Sequence, residues 1–113
     1  MTKTKPSYEA VALQYLDNQP DYANPKPTKN TVIQFICYDK KQNEYHLITV
    51  TGSESMPFPD KPDRADIELA MFELVKNNSF EKNARLVIDH LAIVLANETQ
   101  AFIRLHRDAY ESL

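Results

Sequence analysis

The chain has 113 residues, the size of one domain. Its 13 basic and 16 acidic side chains give a net charge of −3, without the basic excess that usually accompanies binding to a nucleic-acid backbone. The only glycine is Gly52, whereas a P-loop or a dinucleotide-binding fingerprint needs several. These counts exclude the common nucleotide-binding loops and disfavour a nucleic-acid partner.

The single cysteine, Cys37, excludes an intrachain disulfide. The first residues are polar and lack the apolar stretch of a secretory signal. The longest unbroken apolar run, residues 91–96, is far shorter than a membrane span. We therefore expect a cytoplasmic protein that does not enter a membrane.

A short helix is predicted for residues 7–19, because apolar residues recur there at helical spacing behind Ser7, a candidate N-cap. Residues 20–30 are rich in proline, which fixes φ and removes a hydrogen-bond donor, so they are predicted to form an extended linker. The alternation of apolar residues in 31–51 predicts an antiparallel β-hairpin with a polar turn at 40–43. A second proline-rich stretch, 53–63, is predicted to be a loop.

Residues 64–113 are predicted to be helical. Asp63 is a candidate N-cap for a helix that ends near residue 77. Residues 79–113 contain no proline or glycine and carry one stripe of apolar residues at helical spacing. This stripe predicts one long helix, or two helices if Asn97 caps a new one; its members are Phe80, Ala84, Val87, Ile88, Leu91, Leu95, Phe102, Leu105 and Ala109.

The expected fold is therefore a single α+β domain with a short N-terminal helix, an antiparallel β-hairpin and two C-terminal helices, the last one long. Residues 86–96 are apolar nearly all round, so a helix there must be buried on most sides. A two-stranded hairpin is marginal alone. We therefore expect a second copy, in a homodimer that extends the hairpin across subunits, or another partner to complete the core.

The residue types that perform chemistry do not form a recognised pattern. His46, His90 and His106 lack the spacing of metal ligands, so no metal site is predicted. Cys37 alternates with apolar residues, which favours packing over catalysis although His46 lies on the pairing strand. His90, beside Asp89, is interpreted as a hydrogen-bonded histidine of the core or of an interface. No catalytic residue and no cofactor is predicted.

Seven residues are predicted to contact a partner. Two lie on the stiff proline-rich loop, three form an acidic stretch near the start of the second helix, and two are cations at i,i+3 spacing that would grip a phosphate or an acidic partner. The alternative is that the loop side chains fold back over the hairpin and that the charges are solvated. The residues are Met56, Phe58, Asp60, Asp63, Asp66, Arg104 and Arg107.

The function predicted from these observations is that of a small non-enzymatic interaction protein. It would bind a protein target and block or bridge it, as inhibitors, immunity proteins and phage-type anti-defence proteins do. The alternative is a small-ligand or nucleotide-binding protein with a pocket where subunits meet, for which Tyr38, Tyr45 and Arg104 are suitable side chains. A third hypothesis, an enzyme, would use Asp89, His90 or Cys37.

Overall fold

The computed structural model describes residues 7–20, 22, 24–97 and 100–112, of which residues 97 and 108–112 are described by their backbone only. Within these ranges the chain forms two helices and five strands. In chain order they are α1 (Tyr8–Asp17), β1 (Lys26–Pro27), β2 (Phe35–Asp39), β3 (Glu44–Ser53), α2 (Arg64–Asn77), β4 (Arg85–Asn97) and β5 (Gln100–Ser112). The strands form one mixed sheet in the order β1-β2-β3-β4-β5, in which β3 and β4 are parallel and the other pairs antiparallel.

The β2–β3 hairpin lies where the alternation of apolar residues predicts it. Phe35 pairs with Ile48 at one end and Asp39 with Glu44 at the other. The turn between the strands ends at Asn43, whose φ of 51° is in the left-handed region that asparagine tolerates well. The turn predicted for residues 40–43 is therefore confirmed, and Asn43 adopts the left-handed conformation that it requires.

Helix α1 begins at the predicted cap, since the Ser7 hydroxyl accepts a hydrogen bond from the Ala10 amide at 3.0 Å. Its buried residues, Ala12 and Leu16, pack on one face of the sheet, which we call the α1 face. A Cβ atom added to Gly52 would clash with the ring of Tyr8. The single glycine thus admits the close approach of a helix residue to the sheet.

Helix α2 also lies where it is predicted, and it connects the parallel strands β3 and β4 as a crossover. Asp63 is extended at its N-cap position, but its side chain makes no capping hydrogen bond. Ile67, Ala70 and Leu74 are buried against the other face of the sheet, the α2 face. The two helices therefore cover opposite faces of one sheet.

The predicted long C-terminal helix is wrong, and the predicted fold class is wrong with it: the region from residue 85 to residue 112 forms strands β4 and β5. A continuous apolar run satisfies helical spacing and strand spacing equally well. Residues 86–95 are rich in isoleucine and valine and are bounded by polar residues, which is typical of a strand buried on both faces of a sheet. Burial on both sides removes the alternation that would have marked β4 as a strand.

This correction removes the reason for expecting a homodimer. β4 lies between β3 and β5, and its side chains enter the clusters beneath both helices. Ile88 on the α2 face and Leu91 on the α1 face are both fully buried within one chain. The apolar segment 86–96, for which a partner was expected, is therefore covered by other elements of the same chain.

Candidate functional site

A buried charged cluster lies on the α1 face, centred on Asp89 in the middle of β4. The Asp89 carboxylate is completely buried and accepts hydrogen bonds from three elements. The Tyr22 hydroxyl donates to Oδ2 at 2.5 Å, and Arg107 Nε donates to Oδ1 at 2.8 Å. His46 Nδ1 lies 3.0 Å from Oδ2. We call these four residues the Asp89 cluster.

The strand register brings the cluster together. Asp89 on β4 lies directly opposite Arg107 on β5, so their side chains share one face as a cross-strand pair. His46 lies on β3, the other neighbour of β4. Tyr22 comes from the segment that follows α1, and its hydroxyl also accepts a hydrogen bond from Arg107 Nη2 at 2.9 Å. The cluster thus ties the segment after α1 and the edge strand β5 to the centre of the sheet.

Two further charges extend the cluster along β3 and β4. His46 Nε2 lies 3.1 Å from Glu44 Oε1, so both ring nitrogens of His46 face carboxylate oxygens. Arg85 Nη1 is 3.8 Å from the other oxygen of Glu44. Arg107 and Arg85 therefore lie at the two ends of a row of polar side chains that runs through Asp89, His46 and Glu44.

The electrostatics keep Asp89 ionised. Burial is the largest influence on the pKa of Asp89 and raises it, but the hydrogen bonds from His46, Arg107 and Tyr22 together outweigh burial, and the pKa lies below its ordinary value. Burial, followed by the hydrogen bond to Asp89, raises the pKa of the Tyr22 hydroxyl. The hydrogen bond to Asp89 raises the pKa of Arg107. At neutral pH the three groups are therefore a carboxylate, a neutral phenol and a guanidinium.

The cluster is arranged to hold charge and not to transfer a proton. A general base needs a lone pair that faces a substrate, whereas both oxygens of Asp89 already accept hydrogen bonds from the chain. His46 is 3% exposed. The most exposed member is Arg107, whose side chain is 46% exposed and which remains protonated. The geometry supports a structural role for Asp89 and His46.

Cys37 lies opposite His46 in the β2–β3 register but is not poised for nucleophilic chemistry. Its side chain belongs to the apolar cluster beneath α1, as the alternation predicts, and it is 1% exposed. Burial and, to a smaller extent, the charge of Asp89 raise the pKa of the Cys37 thiol to about 12. A thiol with that pKa is protonated at neutral pH, and the thiolate is the nucleophile.

The lowered pKa of Asp89 predicts a component of stability that acid removes. An aspartate in an unfolded chain has a pKa of about 3.9, whereas the pKa of Asp89 in the folded chain is lower. As the pH falls, the unfolded chain therefore binds a proton at this residue before the folded chain does. The stabilisation by Asp89 is complete above the unfolded-state pKa and is lost as the pH falls through the lower, folded-state pKa. We expect the difference in unfolding free energy between the wild type and Asp89→Asn, measured with urea, to shrink below about pH 4.

The matched control for this acid titration is Asp66→Asn, which removes an exposed carboxylate from the first turn of α2. Its difference from the wild type is expected to stay within a few tenths of a kcal/mol, the usual range for a surface substitution. An Asp89→Asn difference that is the same at neutral pH and in acid would contradict the ionised Asp89 of this structure.

A large groove lies on the α2 face, where the β1–β2 edge meets the C-terminal end of α2. Its volume is about 1240 Å³. Four lysines and two carboxylates contribute to its lining, together with amides, hydroxyls and aromatic rings. We call it the lysine groove. The charged and aromatic side chains that line it are Lys26, Lys29, Lys40, Lys41, Asp39, Glu73, Tyr38, Tyr45 and Phe80.

Three aromatic rings of the lysine groove lie against one another in succession, as an aromatic stack. The centroids of Tyr38 and Tyr45 are 4.5 Å apart with the rings tilted by 32°, and those of Tyr45 and Phe80 are 4.3 Å apart with the rings 13° from parallel. The central ring, Tyr45, is buried, and its hydroxyl accepts a hydrogen bond from the Glu81 amide at 2.9 Å. Tyr38 and Phe80 are half-buried at the two ends of the stack.

The seven residues predicted to contact a partner do not all lie on one face of the sheet. Met56 is 54% exposed, whereas Phe58 is half-buried with the Arg104 guanidinium carbon 5.1 Å from the centroid of its ring. Arg104 and Arg107 lie on opposite faces of β5, because residues three apart in a strand point in opposite directions. The predicted pairing of these two cations depended on a helix and is wrong. The three acidic residues, Asp60, Asp63 and Asp66, are exposed in the loop before α2 and in its first turn.

The other histidines lie on the α2 face, away from His46. His90 is buried, and its Nδ1 is 2.7 Å from the Thr49 hydroxyl. Its ring stacks with that of His106, which lies directly opposite on β5, at 6.1 Å between centroids. In the described part of the chain, no group of three or more histidine, cysteine or acidic side chains is placed to share a metal ion.

Sequence reasoning missed two contributors to these sites. Tyr22 and Glu44 lie far along the chain from Asp89, and only the strand register and the path of the segment after α1 bring them together. The sequence predicts Tyr38, Tyr45 and Arg104 as side chains suited to one small-ligand pocket. The structure places the two tyrosines in the lysine groove and Arg104 on β5, outside it.

Comparison with protein-family models, with curated proteins and with solved structures finds no match for this chain. Neither of the helices described is long and apolar enough to cross a membrane.

Proposed function

We propose that this chain is a non-enzymatic interaction protein that binds an extended, acidic segment of a target protein and thereby blocks or bridges that target. The observation that carries the proposal is the outer edge of β5. The strand has 13 residues, and among the described residues it has a strand neighbour on the β4 side only. An edge of this length offers alternate backbone N–H and C=O groups to an added strand.

Exposed apolar side chains on both faces of β5 would also contact an added strand. Phe102 on the α2 face is 40% exposed, and Leu105 on the α1 face is 36% exposed. A strand added to this edge would contact one of them above the sheet and the other below it. Backbone hydrogen bonds would then supply general affinity, and these two side chains would supply apolar contact.

The charge of the first eight residues of this edge favours an acidic partner. Within residues 100–107 the ionisable side chains are Arg104, His106 and Arg107, whereas the carboxylates of the strand, Asp108 and Glu111, come after them in sequence. Arg107 remains 46% exposed although it is bonded to Asp89. An acidic strand would complement this charge, whereas a basic strand would be repelled, so the charge selects among the extended segments that the backbone alone would accept.

The buried groups support binding in preference to catalysis. The hydrogen bonds within the Asp89 cluster occupy the carboxylate that would otherwise be the strongest candidate for a catalytic base. The burial and raised pKa of Cys37 argue against a nucleophile. The exposed side chains of β5 are then the more informative feature for function.

The proposal is tested with labelled peptides of about eight residues, the length of an ordinary strand. One alternates glutamate with valine, and its counterpart replaces each glutamate with lysine. We expect the acidic peptide to bind and Arg104→Glu to weaken its binding about tenfold, because an attractive charge pair becomes repulsive. The control, Lys76→Glu, makes the same charge change in the last turn of α2 and should keep the affinity within about twofold. Fluorescence anisotropy measures both.

Equal binding of the acidic and the basic peptide would overturn the proposal. So would equal losses in Arg104→Glu and Lys76→Glu, because the effect would then report net charge and not the edge of β5. The predicted homodimer stays a prediction, and light scattering of the purified protein tests it. A cytoplasmic location likewise stays a prediction.

A further inference from the structure

We propose that the lysine groove binds a nucleoside phosphate, as a free nucleotide or as part of a single-stranded nucleic acid, with a base on the aromatic stack and phosphates on the lysines. This site is separate from the β5 edge and does not depend on the proposed function. Its volume of about 1240 Å³ is larger than most pockets for small molecules and suits one or more nucleotides.

The lysine groove presents four exposed lysine side chains. Lys26 and Lys29 stand on the β1 side, and Lys40 and Lys41 stand in the turn between β2 and β3. Among the described residues none of the four lysines is ion-paired, and all four are exposed. Ammonium groups without a carboxylate partner are available to an anion that enters between them.

The two carboxylates of the lysine groove are occupied by donors from the chain. Asp39 Oδ1 accepts hydrogen bonds from the amides of Lys41 and Gln42 at 3.0 and 3.3 Å. Glu73 Oε2 accepts one from the Asn30 side-chain amide at 3.2 Å. These carboxylates hold the turn and the segment before β2 in place, and they leave the lysine ammonium groups facing solvent. The lining therefore presents a net positive charge within an acidic chain.

The lysine groove also contains the aromatic stack. Tyr45 is held between the rings of Tyr38 and Phe80 at ordinary stacking distances, so the three rings form a rigid unit. The Tyr38 hydroxyl donates to Asn43 Oδ1 at 2.8 Å, which fixes the ring at the end of the stack nearest Lys40 and Lys41 in sequence. A base stacks on such a ring whatever its sequence, because every base has a flat π-face.

The combination of rings and cations selects one chemical class. Lysines alone would accept any polyanion, and rings alone would accept any flat apolar molecule. A nucleoside phosphate carries a flat ring and a negative charge within a few ångströms of each other. The amides of Asn24, Asn77 and Gln42, which also line the groove, offer both donors and acceptors to the edges of a base.

The test begins with a labelled single strand about eight nucleotides long, within the usual site size of single-strand-binding proteins. Its competitors are ATP, tripolyphosphate and the duplex of the same sequence. We expect the single strand to bind, ATP to compete, and tripolyphosphate to compete at least about tenfold less well because it has no ring to stack. The duplex should also compete weakly, because its bases are stacked on one another. Tighter binding of the octamer than of ATP would identify a single strand as the occupant, and equal affinity a free nucleotide.

Two pairs of variants locate the ligand. Lys40→Glu with Lys41→Glu should reduce affinity at least about tenfold at low salt, whereas Lys61→Glu with Arg104→Glu makes the same charge change outside the lining of the groove and should have little effect. Tyr38→Leu removes a ring of the stack and should weaken binding about tenfold. Tyr38→Phe keeps the ring and should bind within about twofold of the wild type. Circular dichroism confirms that each variant is folded.

Competition by tripolyphosphate equal to that of ATP, together with an unchanged Tyr38→Leu, would overturn the proposal, since the groove would then bind charge alone. Absence of binding by both the octamer and ATP would overturn it outright. A loss of binding in Arg104→Glu with none in the Lys40 and Lys41 variant would place the ligand on β5. Because the acidic-peptide experiment uses a different surface, either proposal can fail while the other stands.

Discussion

Replacement of Asp89 with alanine is expected to lower the free energy of unfolding by about 3–5 kcal/mol, the range found when one partner is removed from a buried charged cluster. The variant leaves Tyr22 and His46, each 3% exposed, without their acceptor. Arg107 is half exposed and can be solvated, so most of the loss comes from the two buried groups. Unfolding in urea, followed by circular dichroism, measures the difference.

The control for Asp89→Ala is Glu44→Gln, at the other nitrogen of His46. The amide oxygen of glutamine still accepts a hydrogen bond, so this change is expected to lower the stability by about 1 kcal/mol. A loss in Asp89→Ala as small as that in Glu44→Gln would contradict the central place of Asp89 in the cluster. It would mean that the buried donors find other acceptors when the carboxylate is removed.

The second large effect distinguishes the sheet from the long helix that residue spacing favours. Leu91 and Leu105 belong to one apolar stripe in that helix, whereas in the sheet they face each other across β4 and β5. Leu91 is fully buried, and Leu105 is 36% exposed at the edge. We expect Leu91→Ala to lower the unfolding free energy by about 2–5 kcal/mol and Leu105→Ala by less than about 1 kcal/mol.

The same urea experiment compares the two leucine variants. In the sheet, the large loss in Leu91→Ala follows from the cavity left beneath α1, which the surrounding side chains cannot fill completely. Equal losses in the two variants would contradict the edge position of β5. They would show that Leu105 is as deeply buried as Leu91 in the protein in solution.

Local patterns predicted the parts of the fold that depend on neighbours in sequence. Ser7 as a cap, the start of helix α2 after the proline-rich loop and the alternation in β2 and β3 are all local features. The prediction for β4 is wrong because this strand is apolar on both faces, which removes the alternation by which a strand is recognised. The prediction for β5 is wrong because its apolar residues continue the same apparent helical stripe.

The sites were harder to predict than the elements because they are assembled by long-range pairing. Asp89, His46 and Arg107 come together only through a sheet in which β4 lies between β3 and β5. A helix over residues 79–113 would place Arg104 and Arg107 side by side, whereas in strand β5 they lie on opposite faces.

The lysine groove shows that the net charge of a chain does not describe the charge of one part of its surface. The chain carries a net charge of −3, which disfavoured a nucleic-acid partner. The four lysines of the groove come from two separate segments, 26–29 and 40–41, and neither segment is notably basic when read with its neighbours. Their convergence depends on the pairing of β1 with β2, and only two residue pairs define that pairing.

Amide hydrogen exchange of β5, with and without the acidic peptide, tests the proposed function most directly. If the peptide adds as a strand, amides within residues 100–107 should exchange at least about tenfold more slowly in its presence, because a new ladder of hydrogen bonds protects them. Amides in residues 26–30 and 40–43, around the lysine groove, should be unchanged. Peptide binding that leaves the β5 amides at their original rates, or that protects those around the groove, would contradict strand addition at this edge.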